Sequence, residues 1–132
     1  MERSEFVAAK YQEYGELTNS LCHCKFMLFG GMSLSDLLDT LNCTTGWNWA
    51  MGDFLKAGER IFNLQRLVNI KYGISRKDDS LPAKIFEPAK EGSRAGKIPV
   101  PFEEALDRYY KLRGWDDVGI PTQGKLKDLD LI

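Results

Sequence analysis

The sequence predicts an all-α fold, an irregular helical domain with one long loop rich in proline and glycine. Apolar residues recur at three- and four-residue spacing in several segments, and residues that typically begin or end helices flank those segments. No segment shows the strict alternation that is typical of a half-buried strand. At 132 residues the chain has the length of one ordinary domain, so residues 1–132 are interpreted as a single helical unit.

The first two helices are predicted from apolar spacing and from capping residues. A helix is predicted from Glu2 to Tyr14, and Gly15 is placed to end it. Four residues of this helix recur at helical spacing: Phe6, Ala9, Lys10 and Glu13. Ser33 resembles an N-cap and predicts a second, short amphipathic helix, with a turn at 44–48 after it. The apolar residues of this second helix are Leu34, Leu37, Leu38 and Leu41.

The longest helix is predicted from about Asn48 to Tyr72, with Gly73 as its natural C-terminal residue. Its broad apolar stripe is typical of a helix that is buried on much of its circumference. Seven residues form the stripe: Phe54, Leu55, Ile61, Phe62, Leu64, Leu67 and Val68. We therefore expect this helix to lie at the centre of the fold.

The segment from Ile74 to Val100 is rich in proline, glycine and charge, and it predicts a long irregular loop. One helical turn is expected within it, near Ala83–Phe86. A loop of this length in a domain is usually functional or covered by a partner. After it, Pro101 begins a helix that continues to Gly114, and a final short helix is predicted from Thr122.

The charge and the N-terminus restrict the classes of partner. Eighteen basic and nineteen acidic side chains give a formal charge of −1, so no global field attracts nucleic acid or an anionic membrane surface. The charged N-terminus lacks the apolar core of a signal peptide, and no stretch approaches the roughly 20 apolar residues needed to span a bilayer. A cytoplasmic protein with reduced cysteines is expected.

Cys22, His23 and Cys24 are adjacent, and the third cysteine is Cys43. Zinc sites usually use pairs of cysteines with at least two residues between them, whereas one residue separates Cys22 from Cys24, so the spacing favours buried thiols over a self-contained metal site. His23 could act as a general base, but a histidine satisfied by local hydrogen bonds is the favoured interpretation.

Other pairs of polar or aromatic residues could belong to a binding site. Tyr109 with Tyr110, and Trp47 with Trp49, could form an aromatic wall around a ligand, although such residues at helical spacing are usually core. Asp78 and Asp79 form a carboxylate pair that we expect to be solvated, as neighbours in a charged loop usually are. From the residues alone, no reaction is indicated.

Three stretches, in this order and spacing, resemble the C-terminal region of the tungsten-containing aldehyde ferredoxin oxidoreductases. They are CKF from Cys24 to Phe26, GERIFNLQRLVNIKYGISRKDDSLP from Gly58 to Pro82, and YYKLRGWDDVGIPT from Tyr109 to Thr122. The resemblance implies an enzyme that oxidises aldehydes to carboxylic acids at tungsten or molybdenum held by two pterin dithiolenes. It also implies electron transfer through a 4Fe-4S cluster to ferredoxin.

The resemblance assigns roles to residues of the cysteine stretch. Cys24 corresponds to a cysteine that ligates the iron–sulfur cluster, which thiolates normally do. The residues before it resemble a pterin-binding motif of the form Asp-x-x-Gly-x-Cys, so Asn19 occupies the acidic position and Cys22 the glycine position. His23 becomes a backbone neighbour of the pterin. Cys43 matches no family role and is expected in the core.

The resemblance also implies what this chain lacks. The pterin-binding domain, the other three cluster cysteines and the acid/base residues belong to upstream domains, so we assign no catalytic residue here and expect no cofactor on the isolated chain. The implied partner is the upstream part of the same enzyme or a split-gene subunit, with ferredoxin as the acceptor of the complete enzyme; a remnant of such an enzyme is also possible. The alternative is a catalytically inactive helical assembly module that retains the family fold.

Overall fold

The fold is built from α-helices, as a computed structural model describes it for residues 4–93, 95–97 and 101–132. Within these residues the chain forms six α-helices and two short 3-10 helices, and it forms no sheet. The α-helices are α1 (Ser4–Ser20), α2 (Phe26–Phe29), α3 (Leu34–Thr45), α4 (Met51–Lys71), α5 (Phe102–Arg113) and α6 (Gln123–Asp128). The all-α prediction is confirmed.

The apolar core lies where α1, α3 and α4 meet. Its fully buried members are Leu17 of α1, Leu37 and Leu38 of α3, and Phe54 of α4. Half-buried side chains from α2 and from the segment before α4 pack against these four, among them Leu28 and Trp49. The core therefore sits beside the C-terminal half of α1, and it supports the chain segment that leaves that helix.

Gly58 marks the closest contact between α1 and α4. A Cβ atom built on Gly58 would lie 2.6 Å from the carbonyl oxygen of Glu13 and 2.8 Å from Cγ of Leu17. Distances this short leave no room for a side chain, so the two backbones touch here. The glycine thereby fixes how α1 lies on α4.

A buried arginine joins α5 to α1. Arg113 donates from Nη1 to the Glu13 carboxylate (2.8 Å), and from Nη2 to the carbonyl oxygen of Ala9 (3.0 Å) and to Oε1 of Gln12 (2.6 Å). Its Nε donates to the hydroxyl of Tyr109 at 3.0 Å. The side chains of Arg113 and Glu13 are both buried, and the hydrogen bonds compensate for the loss of water around their charges.

A second buried arginine joins α4 to two segments that are distant in the sequence. Arg66 of α4 binds both carboxylate oxygens of Asp79, at 3.0 and 2.8 Å, and donates from Nε to the carbonyl oxygen of Gly119 at 2.8 Å. The hydroxyl of Tyr110 also donates to Asp79. Burial, and then the hydrogen bond to Asp79, raise the pKa of Tyr110. The prediction of a solvated Asp79 was wrong, because its carboxylate accepts hydrogen bonds from Arg66 and Tyr110, which are distant in the sequence.

The helix ends confirm most of the predicted boundaries. Ser33 forms a capping box with Asp36 at the start of α3, and the hydroxyl of Thr122 accepts from the Lys125 amide at the start of α6. The turn at Ala83–Phe86 is a 3-10 helix, as expected. Helix α3 runs to Thr45, so it includes the first two residues of the stretch 44–48 that was predicted to turn. Residues 94 and 98–100 of the predicted loop, and the predicted start of the first helix at Glu2, lie outside the described residues.

Two predictions about α1 and α4 were wrong. Helix α1 continues through Gly15 to Ser20, because Leu17 and Thr18 beyond the glycine are buried and hold that turn helical. In α4 the apolar stripe is only partly buried: Leu64 is 49% exposed, whereas Asn63 and Arg66 are buried. The buried polar residues have partners from distant segments, including the indole of Trp115, which donates to Asn63 at 2.7 Å.

Candidate functional site

The last turn of α1 and the turn after it carry the sequence-predicted site residues, namely Asn19, His23 and Cys24. The amide of Cys22 donates to the carbonyl oxygen of Asn19 at 3.0 Å, and the amide of His23 donates to that of Thr18 at 3.0 Å. These two bonds form a Schellman motif, which satisfies the carbonyl groups at a helix end. The helix therefore delivers Cys24 to a fixed place at its C-terminus.

The same motif ends α2, α4 and α5, and there its left-handed residue is a glycine. Gly31, Gly73 and Gly114 have φ values of 101°, 88° and 69°, and Cys22 has 51° in the corresponding position of α1. A left-handed backbone costs a residue with a Cβ about 1–2 kcal/mol. Cys22 thus stands where the geometry of the helix end favours glycine.

The three cysteines are all exposed as free thiols. The expectation that they are small buried side chains was wrong, and so was the assignment of Cys43 to the core. Cys22 and Cys24 project with the turn beyond the end of α1. Cys43 lies on the side of α3 that faces away from Leu37 and Leu38, since successive helical residues rotate by about 100°.

The ring of His23 points into the protein. Its Nε2 atom is enclosed and has no hydrogen-bond partner among the described residues. The prediction that local hydrogen bonds satisfy the histidine was therefore wrong for this atom. An enclosed Nε2 is also poorly placed to exchange a proton with a substrate in solvent.

The predicted aromatic walls take different positions. Tyr110 is buried and Tyr109 half-buried, and both rings pack on Trp115 at centroid distances of 5.6 and 5.8 Å. With α4 they line a cleft of about 330 Å³. Trp47 and Trp49 stack at 4.7 Å in the segment before α4, where Asn42 binds the backbone of Trp49. Neither pair lies on the turn that carries Cys24.

Comparison with protein families gives one match over nearly the whole chain. Residues 2–131 match the family model described as "Aldehyde ferredoxin oxidoreductase, domains 2 & 3". The chain belongs to this family of oxidoreductases. The three stretches from Cys24 to Thr122 that resemble the family are thereby confirmed as family features.

Relatives in the aldehyde ferredoxin oxidoreductase family are much longer than this chain. The chain is 42% identical over 123 residues to the tungsten-containing aldehyde ferredoxin oxidoreductase of Pyrococcus abyssi, a match that covers 92% of the chain and 20% of that protein. It is 39% identical to the enzyme of the same name from Thermococcus kodakarensis, with the same coverage. The chain therefore spans about a fifth of the length of these relatives.

A solved structure shares part of the fold. The active site complex BamBC of benzoyl coenzyme A reductase, determined with 1,5-dienoyl-CoA, superposes on this chain with a TM-score of 0.51 and 36% sequence identity. The superposition covers 65% of this chain and 12% of that one. Part of the helical arrangement of this chain is thus found within a much longer chain.

The turn fits the family's iron–sulfur cluster as a donor of one ligand. The thiol of Cys24 is exposed, and among the described residues the amides of Cys24 and Lys25 have no acceptor. The sulfur atoms of a cluster bound there would accept hydrogen bonds from such amides, and hydrogen bonds of this kind help to set the reduction potential of a cluster. Within the described part of the chain, no group of three His, Cys, Asp or Glu side chains is placed to hold a metal ion. A complete cluster therefore needs ligands from elsewhere.

An apolar surface lies next to this thiol, and sequence reasoning did not single it out as functional. Phe26, Met27 and Phe29 of α2 are 80%, 50% and 85% exposed; we call these three residues the α2 patch. The signal was present in the sequence as four consecutive apolar residues. Only Leu28 of that run turns towards the core.

Helix length and polarity also bear on the membrane prediction. Among the residues that the structure describes, no helix has both the length and the apolar character required to cross a bilayer.

We expect Cys22→Gly to raise the free energy of unfolding by about 0.5–1 kcal/mol, because glycine relieves the left-handed strain but adds entropy to the unfolded chain. Urea denaturation of the 132-residue chain measures this change. The control is Cys22→Ser, which keeps the Cβ atom and should stay within about 0.5 kcal/mol of the parent. Equal stability of the glycine and serine variants would contradict the assignment of strain to this position.

Proposed function

We propose that this chain contributes one thiolate, that of Cys24, to a 4Fe-4S cluster and one wall to the tungsten-pterin site of an aldehyde:ferredoxin oxidoreductase. The observation that supports this most strongly is the exposed thiol of Cys24 at the end of the stretch that resembles Asp-x-x-Gly-x-Cys, in which Asn19 and Cys22 replace the acidic residue and the glycine. The cluster, when bound, supplies one-electron transfer between the pterin site and ferredoxin.

Each residue of the turn has a separate part in this proposal. Cys24 would hold one iron, and the amides of Cys24 and Lys25, which have no acceptor among the described residues, would be available as donors to the cluster. The side chain of Asn19 is exposed and would offer an amide oxygen to the pterin. A neutral amide forms a hydrogen bond roughly half as strong as a carboxylate does, so this contact orients the pterin with less energy than aspartate would.

The proposal requires a second polypeptide segment. A cubane cluster takes four thiolates, and this chain offers one at the site. The relatives carry about four fifths of their length outside the matched region, which is where the other three cysteines, the pterin domain and the acid/base residues are expected. In this proposal, activity requires both this chain and the segment that carries the other three cysteines and the pterin domain.

The names of the relatives favour aldehydes as the substrate class. Four relatives named as tungsten-containing aldehyde ferredoxin oxidoreductases are 39–42% identical to this chain. A relative named as an aliphatic sulfonate oxidoreductase subunit, from Pyrococcus furiosus, is 29% identical over a shorter region. We therefore propose an aldehyde donor and ferredoxin as the acceptor.

The decisive experiment is a chimera in which this chain replaces the matched region of the Pyrococcus abyssi relative. We expect about four cluster irons per polypeptide, and Cys24→Ser should reduce that number to three or fewer and alter the electron paramagnetic resonance spectrum. The matched control is Cys43→Ser, which removes another exposed thiol and should leave both readouts unchanged. Full iron with an unchanged spectrum in the Cys24 variant would rule out the ligand role. A folded chimera without iron would instead favour the helical assembly module.

A further inference from the structure

We propose that the α2 patch, formed by Phe26, Met27 and Phe29, is the surface on which the cluster-bearing part of an aldehyde ferredoxin oxidoreductase docks. The partner is a segment with three cluster cysteines, an apolar contact surface and one acidic group for Lys25. This inference rests on the proposed function, since the position of Cys24 determines which partner must cover the patch.

The patch is held outward by the structure around it. Leu28 packs against the core, so rotation of α2 that would bury the two phenylalanines is blocked. Two backbone hydrogen bonds end the helix immediately after Phe29. The amide of Gly31 donates to the carbonyl oxygen of Leu28, and the amide of Met32 donates to that of Met27, both at 3.1 Å. The rings of Phe26 and Phe29 meet edge to face with centroids 6.1 Å apart. The patch is therefore preformed, which lowers the entropy lost on binding.

The composition of the patch is that of an interface core. Exposed aromatic residues and methionine are enriched in such cores, and aromatic side chains are over-represented among residues that dominate binding energy. Phe26 and Phe29, at 80% and 85% exposure, leave most of two large apolar rings in water. Lys25 is the one formally charged side chain between Asn19 and Ser33. A largely apolar partner surface with a single carboxylate complements this set.

The position of Cys24 selects the occupant. Cys24 precedes Phe26 by two residues and Phe29 by five, so a partner that brings three thiolates to Cys24 also covers α2. A second copy of this chain brings one further Cys24, and two thiolates leave half of the cluster without protein ligands. The cluster-bearing segment is therefore a better occupant than a second copy.

Hydroxyl-radical footprinting of the chimera and of the free chain tests the proposal. Met27 is half exposed in the free chain, and we expect its oxidation to slow at least ten-fold in the chimera. The paired change Phe26→Ala with Phe29→Ala should return the oxidation rate of Met27 in the chimera to within two-fold of the free chain. Tyr72→Ala serves as the control, because Tyr72 is 83% exposed at the end of α4 and its removal should leave Met27 protected.

The possible outcomes separate this inference from the ligand role of Cys24. Equal oxidation of Met27 in the chimera and in the free chain, or protection that survives loss of both phenylalanines, would overturn docking on α2. Protection of Met27 in the free chain that grows with its concentration would make a second copy the occupant and would also overturn it. If Cys24→Ser leaves iron unchanged while Met27 is protected, the ligand role fails and the docking surface remains supported.

Discussion

Replacing Arg113 with methionine is expected to lower the free energy of unfolding by about 3–5 kcal/mol, because the change leaves a carboxylate without its main partner in a buried position. Glu13 would keep only its ion pair with Lys10, at 2.7 Å. The carbonyl oxygen of Ala9 and Oε1 of Gln12 would each lose one donor, although Gln12 would keep the hydrogen bond from the Tyr109 hydroxyl at 2.6 Å. Urea denaturation of the whole chain, followed by circular dichroism, measures the loss.

Two controls separate the buried charge from simple loss of packing. Lys111→Met changes an exposed residue of the same helix and should alter stability by no more than about 0.5 kcal/mol. The double variant with Glu13→Gln removes both charges, so it should be more stable than the sum of the single changes implies. A loss below about 1 kcal/mol for Arg113→Met would show that Glu13 reaches water without its arginine partner.

Gly58→Ala is expected to lower the free energy of unfolding by about 2–3 kcal/mol, in spite of the higher helix propensity of alanine. The new methyl group would meet the carbonyl oxygen of Glu13, a backbone atom that moves only if α1 moves. The loss is measured by the same denaturation experiment.

The matched control for this change is Gly52→Ala, in the first turn of the same helix. A Cβ atom there meets nothing within 4 Å, so alanine should stabilise the chain by about 0.5–1 kcal/mol. Opposite signs for the two variants would confirm that the contact with α1, and not helix propensity, determines the effect at Gly58. Stabilisation by both would contradict the close approach of the two helices.

Features that depend on neighbouring residues could be predicted from the sequence. Ser33 and Thr122 cap helices, and Gly73 and Gly114 end them, because each acts through bonds to residues a few positions away. The end of α1 was missed for the same local reason. Its left-handed residue is Cys22, whose identity gives no sign of that conformation, whereas Gly15 gives a false one.

Features that depend on distant residues could not be predicted in this way. Arg66 lies on the buried side of α4 because Asp79 and Gly119 provide its partners, and the sequence pattern of α4 contains no trace of them. Gly58 offered a weak signal, since an isolated glycine inside a strong helical pattern usually has a packing reason.

The position of the candidate site could be predicted from the sequence, but the burial of its thiols could not. The resemblance to the family identified the turn that holds Asn19 and Cys24, and the structure brings these residues together at one helix end. Whether a thiol is buried depends on how elements pack, so spacing alone gave the wrong environment for Cys22 and Cys43. The sequence shows four consecutive apolar residues in α2 but not which of them faces the core, and only the packing of Leu28 against the core leaves the other three exposed.

Because the rings of Phe26 and Phe29 point outward, a molecule that binds them would raise the apparent stability of the folded chain in proportion to the logarithm of its concentration. Whatever covers them binds the folded form alone, because the unfolded chain has no preformed α2 surface. A partner present at 100 times its dissociation constant adds about 2.7 kcal/mol to the apparent stability. If the α2 patch binds the partner proposed for it, the melting temperature of this chain is expected to rise with the concentration of that partner.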